Sequence, residues 1–188
     1  NYAGKYYLTG TVRRDGSSRF SEENRFGVFP SVSAAWTLSE EGFLKQSDII
    51  TNLKIRASYG ELGSQNVGDY AFIPVLNINS DAVFGTGQGR FPGVSQTVFA
   101  NPNLVWETSK TYNIGLDLSL FNSKLTLTAD YFNKDTEDIL VSLRIPPTSG
   151  TNIPVPQNAA SINNKGLELA LTYTGNFGEF NFNFGGNM

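Results

Sequence analysis

At 188 residues, with 14 Lys and Arg against 17 Asp and Glu, the chain has the size of one ordinary domain and no charge excess to steer it toward nucleic acid or an anionic membrane surface. Cysteine and histidine are both absent, which excludes disulfide scaffolds, thiol nucleophiles, Cys/His zinc sites and every reaction that needs an imidazole. Hydrophobic residues make up only 39%, low for a packed core, while aromatics are plentiful at 14 Phe, 8 Tyr and 2 Trp. No run approaches the roughly 18 to 20 apolar residues of a spanning helix. Asn1 begins no signal peptide and "NFNFGGNM" stops in mid-alternation, so the expectation is a piece of a longer chain.

Period-2 alternation dominates, which predicts an all-β chain. In order, the predicted strands are 5–14 (KYYLTGTVRR), 28–38 (VFPSVSAAWTL), 52–60 (NLKIRASYG), 111–120 (TYNIGLDLSL), 124–132 (KLTLTADYF), 165–174 (KGLELALTYT) and 177–186 (FGEFNFNFGG). Most run about nine to eleven residues, the length a tilted strand needs to cross a bilayer, against about five or six in soluble proteins.

The connections alternate in length. Residues 15–27, 61–110 and 133–164 are long and rich in Gly, Asn, Ser and Pro, whereas tight turns are predicted around Phe121–Ser123 and at Gly175 and Asn176. Outer-membrane barrels pair short periplasmic turns with long outer loops in this way. The connection "SEEGFLKQSDIIT" is too long for the pattern.

Sidedness carries the argument further. With strands running alternately up and down, Tyr59, Tyr112 and Tyr131 fall at the outer rim of the apolar faces and Tyr6, Trp36, Tyr173 and Phe180 at the opposite rim. An aliphatic band including Leu8, Val32, Ile55, Ile114, Leu116, Leu127, Leu169 and Leu171 lies between them, as on a lipid-facing wall. The other faces collect Arg13, Lys54, Arg56, Asp117, Asp130 and Glu168 among Thr, Ser and Asn, as suits a wet lumen. The rival reading is a soluble all-β ligand-binding module, which predicts alternation but gives no reason to sort aromatics onto two rims.

Four segments, "LTGTVRRDGSSRF" (8–20), "NRFGVFPSVSAAWTLSEEGFL" (24–44), "LKIRASYGELGSQNVGDYAF" (53–72) and "NPNLVWETSKTYNIGLDLSLFNSKLTLTADYF" (101–132), together with "NNKGLELALTY" (163–173), closely resemble the later barrel region of SusC/RagA-type TonB-dependent outer-membrane transporters. The resemblance implies a transmembrane antiparallel β-barrel of about 22 strands, of which residues 1–188 would supply about seven. It also implies an N-terminal plug and TonB box beyond these residues, energy from the TonB complex, and a SusD-like lipoprotein lid. The implied activity is import of an oligosaccharide or a peptide, with no enzymatic step.

The remaining motifs weigh as follows. Arg13, Arg14 and Arg19 in "RRDGSSRF" suit a carboxylate clamp, but loop geometry and charge pairing explain them better, with Asp15-Gly16 a turn dipeptide. "FGTGQGRFPG" lacks the strand-to-helix context and the Gly-Lys-Ser/Thr of a phosphate loop. The candidate substrate contacts are Tyr70, Phe72, Arg90, Phe91 and Phe99 in the longest loop, whose rings suit stacking on sugars or packing within the loop. Asp135, Glu137 and Asp138, like Glu22-Glu23 and Glu40-Glu41, read as solvated rim charges rather than a glycosidase pair. "IPPTSGTNIPVPQN" (145–158) holds four prolines and is expected to be an extended outer loop, suited to contact with the lipoprotein lid or to plain surface coverage.

Overall fold

The alternating segments pair edge to edge because each extended stretch leaves its backbone donors and acceptors to be met by a neighbour. In a computed structural model, which describes residues 1–150 and 153–188, eleven strands form among the described residues. They are β1 (Tyr6–Gly16), β2 (Phe26–Thr37), β3 (Ile50–Ser64), β4 (Val75–Asn77), β5 (Ala82–Phe84), β6 (Gly89–Phe91), β7 (Ser95–Val98), β8 (Glu107–Leu120), β9 (Leu125–Leu143), β10 (Val155–Phe177) and β11 (Phe180–Asn187). Seven make one antiparallel meander in the order β1-β2-β3-β8-β9-β10-β11; β4 pairs with β7 and β5 with β6 in two small ribbons inside the loop after β3.

These seven strands are the seven predicted from sequence, but several are longer at their outer ends. The β9–β10 hairpin continues through residues 133–143 and 155–164, which alternation had left as loop. Two register shifts near Asn158 and Ala160, and a left-handed Asp138 at φ 55, break the period there and hide the strand from a pattern reading. Within the proline-rich segment the expected extended loop is likewise shorter, because Val155–Asn158 pairs with Leu140–Leu143. Pro156 lies near the start of β10, and its carbonyl accepts a bond from Asn101 Nδ2 at 3.1 Å.

The last turn also moves. Gly175 stays inside β10, where the tip of the Phe182 ring occupies the place its Cβ would take, and the chain reverses instead at Gly178, whose φ of +61 glycine adopts without strain. The turn after β8 falls where expected, with Phe121, Asn122 and Ser123 all left-handed and tied down by Phe121 N donating to Ile49 O at 2.8 Å.

Register decides sidedness. Directly opposed residues of an antiparallel pair share a face. The rows Leu8, Ala34, Ala57, Ile114, Tyr131, Leu167 and Tyr6, Trp36, Ile55, Leu116, Ala129, Leu169 therefore lie on one surface. Arg56, Asp117, Asp130 and Glu168 lie on the other. The apolar side is uncovered: Leu8 is 73% exposed, Ile114 59% and Tyr112 49%. A soluble sandwich would bury that side against a second sheet, yet the other two sheets are two-stranded ribbons in a loop, so the soluble reading fails.

The buried core sits elsewhere, in the loops at the outer end. Phe20, Phe29, Val67, Leu104 and Trp106 form it, with Ala71 and Leu140 packed alongside. Only Phe29 of the five belongs to a long strand.

Candidate functional site

Three zones follow one another along the wet face. At the outer mouth, Trp106 meets Phe20 with ring centroids 5.2 Å apart and Phe29 edge-on at 5.6 Å. This knot ties the first outer loop and the long third loop to β2. Polar contacts reinforce it: Arg19 bonds Asp69 at 2.9 Å and the Gln65 carbonyl at 3.2 Å. Asn158 works as a surrogate strand, its side chain accepting from Val105 N at 3.0 Å and donating to Val105 O at 2.9 Å. Glu107 receives Leu140 N at 3.3 Å where the bulge has freed it.

The middle zone is dominated by hydroxyls and amides. Thr9, Thr11, Ser31, Ser33, Ser58 and Asn113 line a groove of about 490 Å³ to which Arg13, Glu61 and Phe29 also contribute.

Deeper, the Arg56 guanidinium donates to both oxygens of Asp117, at 2.7 and 3.0 Å, and to Asp130 Oδ2 at 3.2 Å. Asp117 faces Arg56 from the neighbouring strand, but Asp130 lies one strand further, on β9. Gly115 on β8 lets the two meet: a Cβ at 115 would overlap Asp130 Oδ1 and stand 2.8 Å from Arg56 Cζ. Gly115→Val is expected to push Arg56 off Asp130 and leave a largely buried carboxylate unpaired, costing about 2–3 kcal/mol of barrel stability. Urea unfolding of the complete barrel in lipid checks this, and an unchanged midpoint would refute it.

The periplasmic rim holds the largest departure from the sequence reading. The overlong connection after β2 folds back through a 3-10 turn at Leu38–Glu40 and delivers Glu41 to the rim aromatics. Its carboxylate accepts from Tyr6 Oη at 2.6 Å, Lys5 Nζ at 2.9 Å and Trp36 Nε1 at 3.2 Å, while the Tyr6 and Trp36 rings stack 6.0 Å apart. Glu41 is thus a bonded hub rather than a solvated charge; Glu40 pairs with Lys45 at 3.1 Å. The Lys5 bond first, then those from Tyr6 and Trp36, hold the Glu41 carboxyl down to about 2 from an ordinary 4.5. A folded-state value below the unfolded one means the contribution is complete above pH 4.5 and lost as pH falls toward 2. Wild type should therefore lose its stability margin over Glu41→Gln across that window, as thermal unfolding at stepped pH would read; parallel curves would contradict it.

The residues singled out from sequence end in different places. Tyr70, 67% exposed, and Phe99, 36% exposed, line one cavity of about 440 Å³ together with Val67, Val98, Leu140 and Pro156. Phe91 instead packs on Phe84 at 6.0 Å within the β5–β6 ribbon, with Arg90 beside it on β6 and exposed. Phe72 is half-buried and lies outside that cavity's lining. The three arginines have internal partners: Arg13 bonds Asp15 at 2.8 Å, Arg14 lies 4.2 Å over the Phe26 ring, and Arg19 holds Asp69. Glu137 pairs with Lys110 at 2.6 Å and Asp135 receives Asn163, so neither is poised as a free acid or base. Sequence reasoning singled out none of Trp106, Gly115 and Asn158, and it misread Glu41 as a solvated rim charge. Only the oddly long connection around Glu41 carried a signal.

The chain matches, over residues 1–188, the family described as TonB dependent receptor-like, beta-barrel. It is 42% identical over 170 residues to TonB-dependent receptor P3 of Formosa agariphila, covering 90% of this chain and 17% of that protein. It is 37% identical over 174 residues to TonB-dependent receptor SusC of Bacteroides thetaiotaomicron, covering 91% and 17%. Among solved structures, the RagAB peptide importer in its open-open state superposes with a TM-score of 0.80 at 27% identity, covering 100% of this chain and 20% of that one. The siderophore receptor PirA of Pseudomonas aeruginosa, at 18% identity and a TM-score of 0.55, shares the fold. The chain thus spans less than a fifth of the length of these curated relatives. With an apolar outer face, an ionic and hydroxylated inner one and this likeness along its whole length, the chain belongs to the TonB-dependent receptor β-barrels of SusC/RagA type and forms part of the wall of an outer-membrane barrel.

Proposed function

We propose that the protein containing this wall imports a nutrient across the outer membrane, with a plug and TonB box outside residues 1–188 and a SusD-like lipoprotein lid at the outer mouth. The observation that carries the reading is the sorted sheet: seven crossings with aliphatic and aromatic side chains outward and Lys54, Arg56, Asp117, Asp130 and Glu168 inward. Such a wall encloses water and suits passage of a hydrophilic solute, and its internally paired carboxylates favour transport over catalysis.

The substrate is proposed to be an oligosaccharide, with Tyr70 and Phe99 the aromatic contacts best placed for it. A peptide is the second reading, supported by the likeness to the structures described as a peptide importer. Binding of glycan and peptide panels to the complete receptor with its neighbouring lipoprotein tests both. Tyr70→Ala or Phe99→Ala should weaken the productive ligand about three- to tenfold, the worth of one aromatic contact. Uptake that persists in a strain lacking TonB would overturn the TonB coupling, and unchanged uptake in a strain lacking the receptor would overturn the import reading itself.

A further inference from the structure

The outward surface is not evenly filled. Ala34 on β2 and Ala57 on β3 sit directly opposite one another in register. Over these two methyl side chains the wall sinks into a shallow apolar groove of about 360 Å³, bounded by Leu8 and Ile55 and closed at its periplasmic end by the stacked Tyr6 and Trp36. At that end, where the aromatic rim meets water, Glu41 and Lys5 stand as a 2.9 Å pair. A carbon-lined groove thus ends at the Tyr6–Trp36 stack, with one anionic and one cationic group just beyond it, Glu41 bonded to both rings.

The geometry points to a specific lipid site: one acyl chain of a zwitterionic aminophospholipid lies in the groove, its ammonium against Glu41 and its phosphate against Lys5. Three observations carry this. The groove lies on the lipid-facing side of an outer-membrane wall, so hydrocarbon is the medium in contact with it. Its floor is formed by Ala34 on β2 and Ala57 on β3, with Leu8 of β1 as one wall, so the depression comes from paired small side chains on adjacent strands. Its polar end offers both signs of charge, which complements a headgroup carrying both and sets Glu41 against one carrying phosphate alone.

The test is native mass spectrometry of the complete receptor, released from nanodiscs holding equal phosphatidylethanolamine and phosphatidylglycerol. Wild type is expected to retain one phosphatidylethanolamine. Ala34→Phe, which fills the groove, should lower that retention about tenfold, and Glu41→Gln should erase most of the preference over phosphatidylglycerol, the loss of one charge-assisted bond. Heat-shifted electrophoresis establishes that both variants are folded. Undiminished retention by Ala34→Phe, or equal retention of the two lipids by wild type, overturns the proposal.

Discussion

Trp106→Ala will unfasten the long outer loop while leaving the barrel wall assembled. Trp106 is 9% exposed and is the residue on which Phe20 and Phe29 both pack, so its removal takes out the centre of the core formed by the described residues. Truncating a buried Trp costs about 3–5 kcal/mol, and here that cost falls on the contacts between residues 65–106 and the rest. Polar ties remain, among them the exposed contacts of Arg19 with Asp69 and the Gln65 carbonyl and the half-buried bonds of Asn158 to Val105 and Asn101 to Pro156, each worth about 1 kcal/mol or less. The expected result is faster protease cleavage between Ile73 and Val98 and lost amide protection at Val67 and Leu104, with an unchanged heat-shifted band for the barrel. Equal protease resistance of variant and wild type would show that the loop is held by something other than this core.

The second large effect tests which side faces lipid. Leu116 lies on the outward row between Ile55 and Ala129, about midway between Tyr112 at the outer rim and the turn at Phe121. Leu116→Arg is expected to destabilise the barrel in lipid by about 2–4 kcal/mol, the cost of a cation near the midplane. Thr128→Arg provides the control at similar depth, because Thr128 opposes Asp117 on the inner face and lines a cavity with Asp130 and Glu168. That variant is expected to shift the unfolding midpoint little, as the new cation finds water and carboxylates. If the two substitutions cost the same, or the inner one costs more, the sidedness drawn from register is wrong.

Both effects show what one-dimensional pattern can and cannot carry. Strict alternation in residues 53–60, 111–120 and 165–174 was enough to assign faces, because a strand has a period of two and one slip would put Arg56, Asp117 or Glu168 into hydrocarbon. The same pattern placed the rims and the order of the strands, and the motif series from "RDGSSRF" to "NNKGLELALTY" indicated the family. Where alternation lapses, the reading lapsed too. The bulge at Asp138 hid the outer halves of β9 and β10, and the last turn, expected at Gly175 and Asn176, falls at Gly178 because glycine alone does not distinguish a turn from a strand position covered by the Phe182 ring.

The sequence by itself therefore determined a membrane-facing β-wall, its strand order and the side each residue presents, since these depend on local periodicity and on the exclusion of charge from lipid. Tertiary structure alone decided the rest. Trp106 finds Phe20 and Phe29 across gaps of 86 and 77 positions, Arg56 reaches Asp130 over a glycine on the intervening strand, and Glu41 gathers three donors that lie 5 to 36 positions away. Such partners have no fixed spacing along the chain. They are brought together by strand register and loop closure, which are properties of the folded sheet.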